Sequence, residues 1–324
     1  MRNQNDRATN LQTKIYQWQE PVEIKQLFSD AQNSGADYLI FQTEASSPAA
    51  PPNWLAEGET DIIVCRPSAE TNGRRRLSQC LPLDVYLLAV RPSYHSAVAV
   101  NVKSAMQRIN KLQRSVSIEE YVVQQAHNSS IQFTENTAVE AAASFLYPAL
   151  AMNERERGPS WIIDLIQQST PSADRPSPAA VTAFHAGLFL INGFFDESHS
   201  CSQSIEGLDA DHTGDYWHAI LHRREPDYGN SKYWFRHVGS HPIFRELAIA
   251  AITRFEQAPA ALQSTLVPWK SRLVKGDKWD PFAFVDLCAA AEANENLSSW
   301  CQQLQYEEML LLLEHSGKPL FAIK

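Results

Sequence analysis

The chain has 324 residues, a formal net charge of −9 and 44% apolar residues, among them 14 Phe, 10 Tyr and 8 Trp. This length supports a sizeable core in two domains or one elaborated domain, and the apolar and aromatic content excludes a disordered chain. The acidic balance excludes a broad nucleic-acid-binding surface, which needs a positive face, and Arg74, Arg75 and Arg76 behind Asn72-Gly73 read as a solvated loop or turn.

In chain order, the opening MRNQNDRATNLQTK carries no continuous apolar run, and no later stretch has the length and apolarity of a membrane span. No signal peptide is expected, and a soluble cytoplasmic protein is the default. LQTKIYQWQEPVEIKQLFSDA holds a candidate helix, with Pro21 opening a new turn or starting its second part. YLIF at 38–41, DIIVC at 61–65 and DVYLLAV at 84–90 are short β-branched and apolar runs separated by Pro, Gly, Asn and Ser, and they read as strands. SAVAVNVKSAMQRINKLQ begins extended and becomes helical, most clearly over Lys103 to Gln113. From Thr137 onward the period is helical in AVEAAASFLYPALAMNE, PSWIIDLIQQ, PAAVTAFHAGLFLINGFFD, IFRELAIAAITRFEQ, PFAFVDLCAAAEAN and SSWCQQLQYEEMLLLLEH, with STPSADRPSPAA as a connection. Glu307, Glu308 and Glu314 in the last of these alternate with Leu and Met and read as amphipathic packing. The patterns predict an α+β chain: a mixed α/β region over 1–130, then a larger, mainly helical domain over 131–324 that is not a simple up-down bundle. Cys65, Cys80, Cys201, Cys288 and Cys301 have neither zinc-ligand nor disulfide spacing, which suits a reducing compartment.

Two polar stripes in the helical half locate the candidate site. In the first, His185, Asn192, Asp196, His199 and Gln203 share a narrow face if one helix runs unbroken through AGLFLINGFF and Ser198. In the second, Asp215, His218, His222 and Glu225 fall within about 80° of the helix circumference, so residues three and four apart converge. An unpaired buried polar group costs about 1–3 kcal/mol, so a polar line in so apolar a segment needs partners if it is buried, and the second stripe would supply them. Pro226 ends the second helix and draws Glu225 off its face, which leaves His218 and His222 as the firmer pair. The plain alternative is a helix whose polar face meets solvent.

Three kinds of chemistry fit these residue types. In a metal centre, His218 and His222 donate imidazole nitrogens, and His199, Glu225 or Asp215 adds a ligand or orders a bound water; a divalent ion such as zinc is the candidate cofactor. The spacing His-x-x-x-His is a weak signal alone, and the insert Ala219-Ile220-Leu221 lacks the Glu of common metalloproteases, so a protease is not indicated. In a metal-free acid-base site, His222 or His218 moves a proton while Glu225 or Asp227 orients it. For ligand binding, Arg223, Arg224 or Arg236 would grip a phosphate or carboxylate, with Asn230, Trp234 and Gln203 as further contacts. Ion pairs of the arginines with Glu225 and Asp227 are the plainer reading. Asn230 also reads as the N-cap of YWFRHV, and Ser240 or His241 as the cap of the helix that follows Pro242.

The same region resembles an uncharacterised family of bacterial proteins, with related fungal sequences, that carries a variant of YWHAI-x-HRRE-x-D-x-x-N-x-KYWFRR-x-G-x-HP. The matching residues are Tyr216, Trp217, His218, His222, Arg223, Arg224, Glu225, Asp227, Asn230, Lys232, Tyr233, Trp234, Phe235, Arg236, Gly239, His241 and Pro242, with similarity upstream through Ser198, His199 and Gln203. His237 stands where that pattern often has Arg. The resemblance covers about 45 residues and brings no established activity with it.

The sequence therefore leads to metal-assisted hydrolase or lyase chemistry on a small polar or anionic molecule, without nucleic acid or membrane as partner. The candidate catalytic residues are Glu225, His222 and Asp227; the candidate ligand contacts are Arg223, Arg236, Asn230, Trp234 and Gln203; the candidate metal ligands are His218, His222, His199 and Glu225. The alternative is a noncatalytic ligand-binding or assembly protein in which the same residues close into a structural polar network.

Overall fold

The structure, a computed structural model, describes residues 12–17, 23–42, 60–67, 72–92, 97–126, 131–136 and 147–321. Its elements begin with β1 (Thr13–Gln17), α1 (Ile24–Asn33), β2 (Tyr38–Gln42), β3 (Ile62–Pro67), α2 (Asn72–Cys80), α3 (Leu83–Ala89), β4 (Ala97–Asn101), α4 (Val102–Ile109), α5 (Ile118–Gln125) and β5 (Ile131–Asn136). After a single 3-10 turn at Glu154–Glu156 come α6 (Trp161–Gln168), α7 (Pro178–Ile191), α8 (Phe195–Ser204), α9 (Thr213–Arg224), α10 (Tyr228–Val238) and α11 (Phe244–Glu256). The chain closes with α12 (Ala260–Leu273), the short hairpin β6 (Val274–Lys275) and β7 (Lys278–Trp279), α13 (Pro281–Ala291) and α14 (Glu295–Gly317). The protein is α+β and mainly helical. Two compact units divide it, one of residues 1–70 and 86–146, the other of residues 71–85 and 147–324.

The first unit is built on a mixed sheet in the order β1-β2-β4-β3-β5. β1 runs parallel to β2 and β3 parallel to β5, while β4 is antiparallel to both β2 and β3, with Ala99 opposite Ile40 on one side and Ile63 on the other. Tyr38, Ile40, Ile63, Cys65, Ala97 and Ala99 pack together. Because side chains alternate along a strand, the intervening Leu39, Phe41, Ile62, Val64, Val98 and Val100 fall on the opposite face, and they are buried too. Strands buried on both faces read as unbroken apolar runs, which made YLIF and DIIVC legible. The change from strand to helix expected in SAVAVNVKSAMQ falls at Asn101, whose side chain caps α4 by accepting from the Ser104 N–H at 2.9 Å.

Several expectations need correction. DVYLLAV lies in the helix α3 up to Ala89, opening after Pro82 with Asp84 in its first turn; the apolar run that follows Asp84 carries no period that separates strand from helix. Residues 13–17 form a strand, and among the described residues of the first region the helix is α1. The compact units do not divide at residue 130: β5 pairs with β3 and completes the sheet, and residues 71–85 cluster with the helical unit. AVEAAASFLYPALAMNE lies outside the described residues up to 146, and 147–153 is not helical.

In the helical unit the Arg74–Arg76 run is part of α2 rather than a solvated turn. Arg74 is buried and its Nε donates to the Tyr306 hydroxyl on α14 at 3.0 Å, while Arg76 pairs with Glu307 and Glu314. α9 lies at the heart of this unit: every one of its residues is buried, and it packs on α7, α8 and α10. Its approach to α7 depends on Gly187, where a Cβ would come 2.4 Å from the Trp217 ring. A helix buried all round has no solvent face, so its polar residues must be satisfied from neighbouring helices.

Candidate metal centre

The first polar stripe is not continuous. α7 stops at Ile191, and Gly193 follows in a left-handed conformation, φ +75°, which favours glycine and ends the helix. A Cβ at Gly193 would also come 2.9 Å from the Glu156 carbonyl oxygen. The register of α7 is therefore lost before α8 begins. His185 is engaged with the Ser169 hydroxyl at 3.1 Å, the Asn192 amide donates to the Leu188 carbonyl at 2.9 Å, and Asp196 and Gln203 are exposed. Of that stripe, His199 alone joins the histidines of the second.

In the second stripe, His218 and His222 sit one turn apart on α9 with their rings stacked, 4.8 Å between centroids and 22° between planes. His199, from α8, stands edge-on to both, at 4.7 and 5.7 Å. One nitrogen from each of the three lies within 4.8 Å of the others, a group that could hold a metal ion. Nitrogens about 2.0–2.1 Å from a tetrahedral zinc are about 3.3 Å from one another, so closing on an ion takes side-chain shifts of about 1 Å rather than refolding. Asp215, nearer the start of the helix, is bonded instead to His212 Nδ1 at 2.8 Å.

Two buried serines set the helices that carry the surrounding groups. Ser198, next to His199, donates to the Ala186 carbonyl of α7 at 2.9 Å, and Ser231 of α10 donates to the Ala219 carbonyl of α9 at 2.8 Å. Ser231 was not among the residues singled out from the sequence, because a serine that ties two helices has no local signature. The second of these bonds places Trp234 over His218, with 3.9 Å between ring centroids and 21° between planes.

Among the described residues, neither ring nitrogen of His218 has a hydrogen-bond partner, although both are buried. Burial, and then the nearby His222 and His199, push its pKa down to about 3. The ring is thus neutral at pH 7, the form in which imidazole binds a metal. Burial also lowers the pKa of His222, against the pull of the Glu225 carboxylate. His222 Nδ1 lies 2.8 Å from Glu225 Oε2, and its Nε2 lies 3.0 Å from Asn230 Nδ2. The carboxylate can only accept, so Nδ1 carries the proton and Nε2 keeps a lone pair, which accepts from the Asn230 amide.

The expected ligand set changes accordingly. α9 ends at Arg224, so Glu225 is bonded behind His222 rather than placed beside the three rings. Asp227, not Asn230, caps α10, accepting from the Asn230 N–H at 3.0 Å. His241 is not a cap either: Ile243 is the N-cap of α11, and His241 Nδ1 accepts the Ile243 N–H at 3.3 Å.

The arginines are also elsewhere than expected. Arg223 is fully buried against Glu308 and Gln305 of α14, with its guanidinium 4.5 Å from the Phe284 ring centroid. Arg224 is buried and donates to the Leu190 carbonyl at 2.8 Å. Neither forms the expected surface pair with Glu225 or Asp227, and Arg236 is exposed. Glu307, Glu308 and Glu314 are correspondingly buried partners of arginine rather than the polar edge of an amphipathic helix.

Comparison with protein families, curated proteins and solved structures finds no match to this chain. Among the described residues, no helix is long and apolar enough to cross a membrane.

Proposed function

We propose that the protein binds a divalent transition metal through His199, His218 and His222 and uses it in hydrolase or lyase chemistry on a small polar molecule. The observation that carries this reading is His218. Two orphaned, buried nitrogens cost about 1–3 kcal/mol each, and beside two further imidazoles a metal ion is the partner that would bond the one of them that carries the lone pair. Nitrogen donors of this kind suit zinc and its neighbours in the first transition row. Bound there by three neutral ligands, such an ion would keep positions open to water or substrate and act as a Lewis acid.

The surrounding residues support particular roles. Glu225 orients His222 through Nδ1, as carboxylates behind metal-bound histidines do. Trp234 holds the plane of His218. His199 and Asn230 are only half-buried and Gln203 is exposed, which gives a small polar ligand a route of approach. The free thiols Cys65, Cys80, Cys201, Cys288 and Cys301 fit a reducing compartment such as the cytoplasm.

A noncatalytic reading has one specific observation in its favour: both nitrogens of His222 already have partners, as in a closed structural network. Metal content separates the two. The untagged chain and a His218→Ala/His222→Ala variant are purified, exposed to zinc, cobalt and manganese, and assayed for bound metal, with folding followed by circular dichroism. About one metal per native chain, lost from a still-folded variant, is the expected result. A native chain that takes up no metal would overturn the proposal and leave the structural network.

A further inference from the structure

Resting on that metal reading, we infer that Asn230 is a displaceable placeholder: its amide occupies the lone pair of His222 that the metal takes, and it must turn away when the metal binds. The bonds around His222 lead to this step. Nδ1 is committed to Glu225 at 2.8 Å, so Nε2 is the nitrogen left to offer a metal. That same Nε2 accepts from Asn230 Nδ2 at 3.0 Å. A lone pair cannot serve an N–H donor and a metal at once.

Asn230 is placed to move without disturbing the fold. It lies in the first turn of α10, where its backbone N–H is held by the Asp227 cap rather than by its own side chain. The residue is half-buried, so a displaced amide has both solvent and the vicinity of the metal within reach. Swung off Nε2, it presents a donor and an acceptor beside the site where a metal-bound water or oxygen-bearing ligand would arrive. The contrast with His218 is informative: there the nitrogens are left bare, so of the two stacked rings only His222 is guarded in the metal-free chain.

A placeholder and a ligand make opposite predictions for the same substitution. Removing a ligand weakens metal binding, whereas removing a placeholder strengthens it by the hydrogen bond that no longer has to be broken, about 1 kcal/mol or about fivefold in Kd. The experiment is zinc binding to native protein and to Asn230→Ala in competition with a chromophoric chelator, alongside denaturant unfolding of each with and without zinc. The expected result is zinc bound about fivefold more tightly by Asn230→Ala, with the metal-free variant less stable than native by a matching amount and the zinc-loaded forms alike. A residue that merely supports the fold would not raise affinity. Native protein that binds zinc while Asn230→Ala binds it equally or more weakly would overturn the placeholder and leave the metal reading standing. Native protein that binds no zinc would overturn both. Should Asn230→Ala fail to fold, Asn230→Ser, which keeps a small polar side chain too short to hold Nε2, is measured in its place with the same two outcomes.

Discussion

The ring of His218 stacks on the indole of Trp234, 3.9 Å between centroids and 21° between planes, and on the ring of His222 at 4.8 Å, so ring contacts hold a histidine that has no hydrogen-bond partner among the described residues. Such an arrangement sacrifices stability. A site that binds a ligand strongly is often a poor piece of core without it.

His218→Leu is therefore expected to stabilise the metal-free protein by about 1 kcal/mol, since it removes two unsatisfied nitrogens and keeps an apolar group of similar size against Trp234. The denaturation midpoint in chelator-treated samples measures this. A lower midpoint for the variant would mean that the imidazole has a partner worth keeping, such as a buried water.

Glu225→Gln tests the group behind His222. The amide is nearly the same size and Glu225 lies beyond the end of α9 with its side chain about a third exposed, so the fold should tolerate the change. Loss of the carboxylate relaxes both the tautomer and the orientation of the ring, and zinc should bind about 10–100-fold more weakly. Chelator competition provides the number, and unchanged affinity would show that His222 does not rely on Glu225.

Arg223 should behave as part of the core rather than as a ligand contact. It is buried against Glu308, with the Tyr216 hydroxyl bonded to the same carboxylate at 2.8 Å. Arg223→Ala strands the Glu308 charge and should cost about 3–5 kcal/mol, whereas joint replacement as Arg223→Met/Glu308→Leu should recover most of that loss. If the double variant folds, its zinc affinity should equal that of the native chain; a substantial loss of affinity would return Arg223 to the site.

How much of this was legible in the sequence depends on where each signal lay. His218 and His222 share one helix, so their four-residue spacing alone places them together. His199 was also named, but through a continuous register that Gly193 breaks; it reaches the site because α8 packs on α9, a tertiary fact that no local pattern carries. Arg223 and Arg224 misled for the converse reason: next to Glu225 and Asp227 they look like a surface cluster, and their actual partners, Glu308 and the Leu190 carbonyl, are 85 and 34 residues away. The doubly buried strands β2 and β3 read correctly as apolar runs. The helix α3 has the same apolar character, and its sequence reads equally well as a strand.

His241 provides a pH dependence that is independent of metal. Its Nδ1 accepts from the Ile243 N–H, so the proton is on Nε2, which lies 3.3 Å from the Thr213 hydroxyl; Tyr216, His315, His212 and Asp211 are the titratable groups around it. Burial, then the neighbouring His315, pushes its pKa down to about 3, with Asp211 opposing and His212 adding a little. Between that value and the unfolded value of about 6.5, the unfolded chain binds a proton that the folded chain does not, so this contribution to stability is complete above pH 6.5 and shrinks as the pH falls. One group with this shift costs about 2 kcal/mol at pH 5 relative to pH 8. Glu156 and Glu307 act in the opposite direction, because burial raises their pKa and the folded state takes up their protons first. The informative quantity is consequently the difference between native protein and His241→Leu, each unfolded by denaturant at pH 8, 6.5 and 5 in the presence of chelator. The native chain should lose about 2 kcal/mol more than the variant over that range, and parallel pH profiles would show that His241 takes up its proton as readily in the folded state as in the unfolded one.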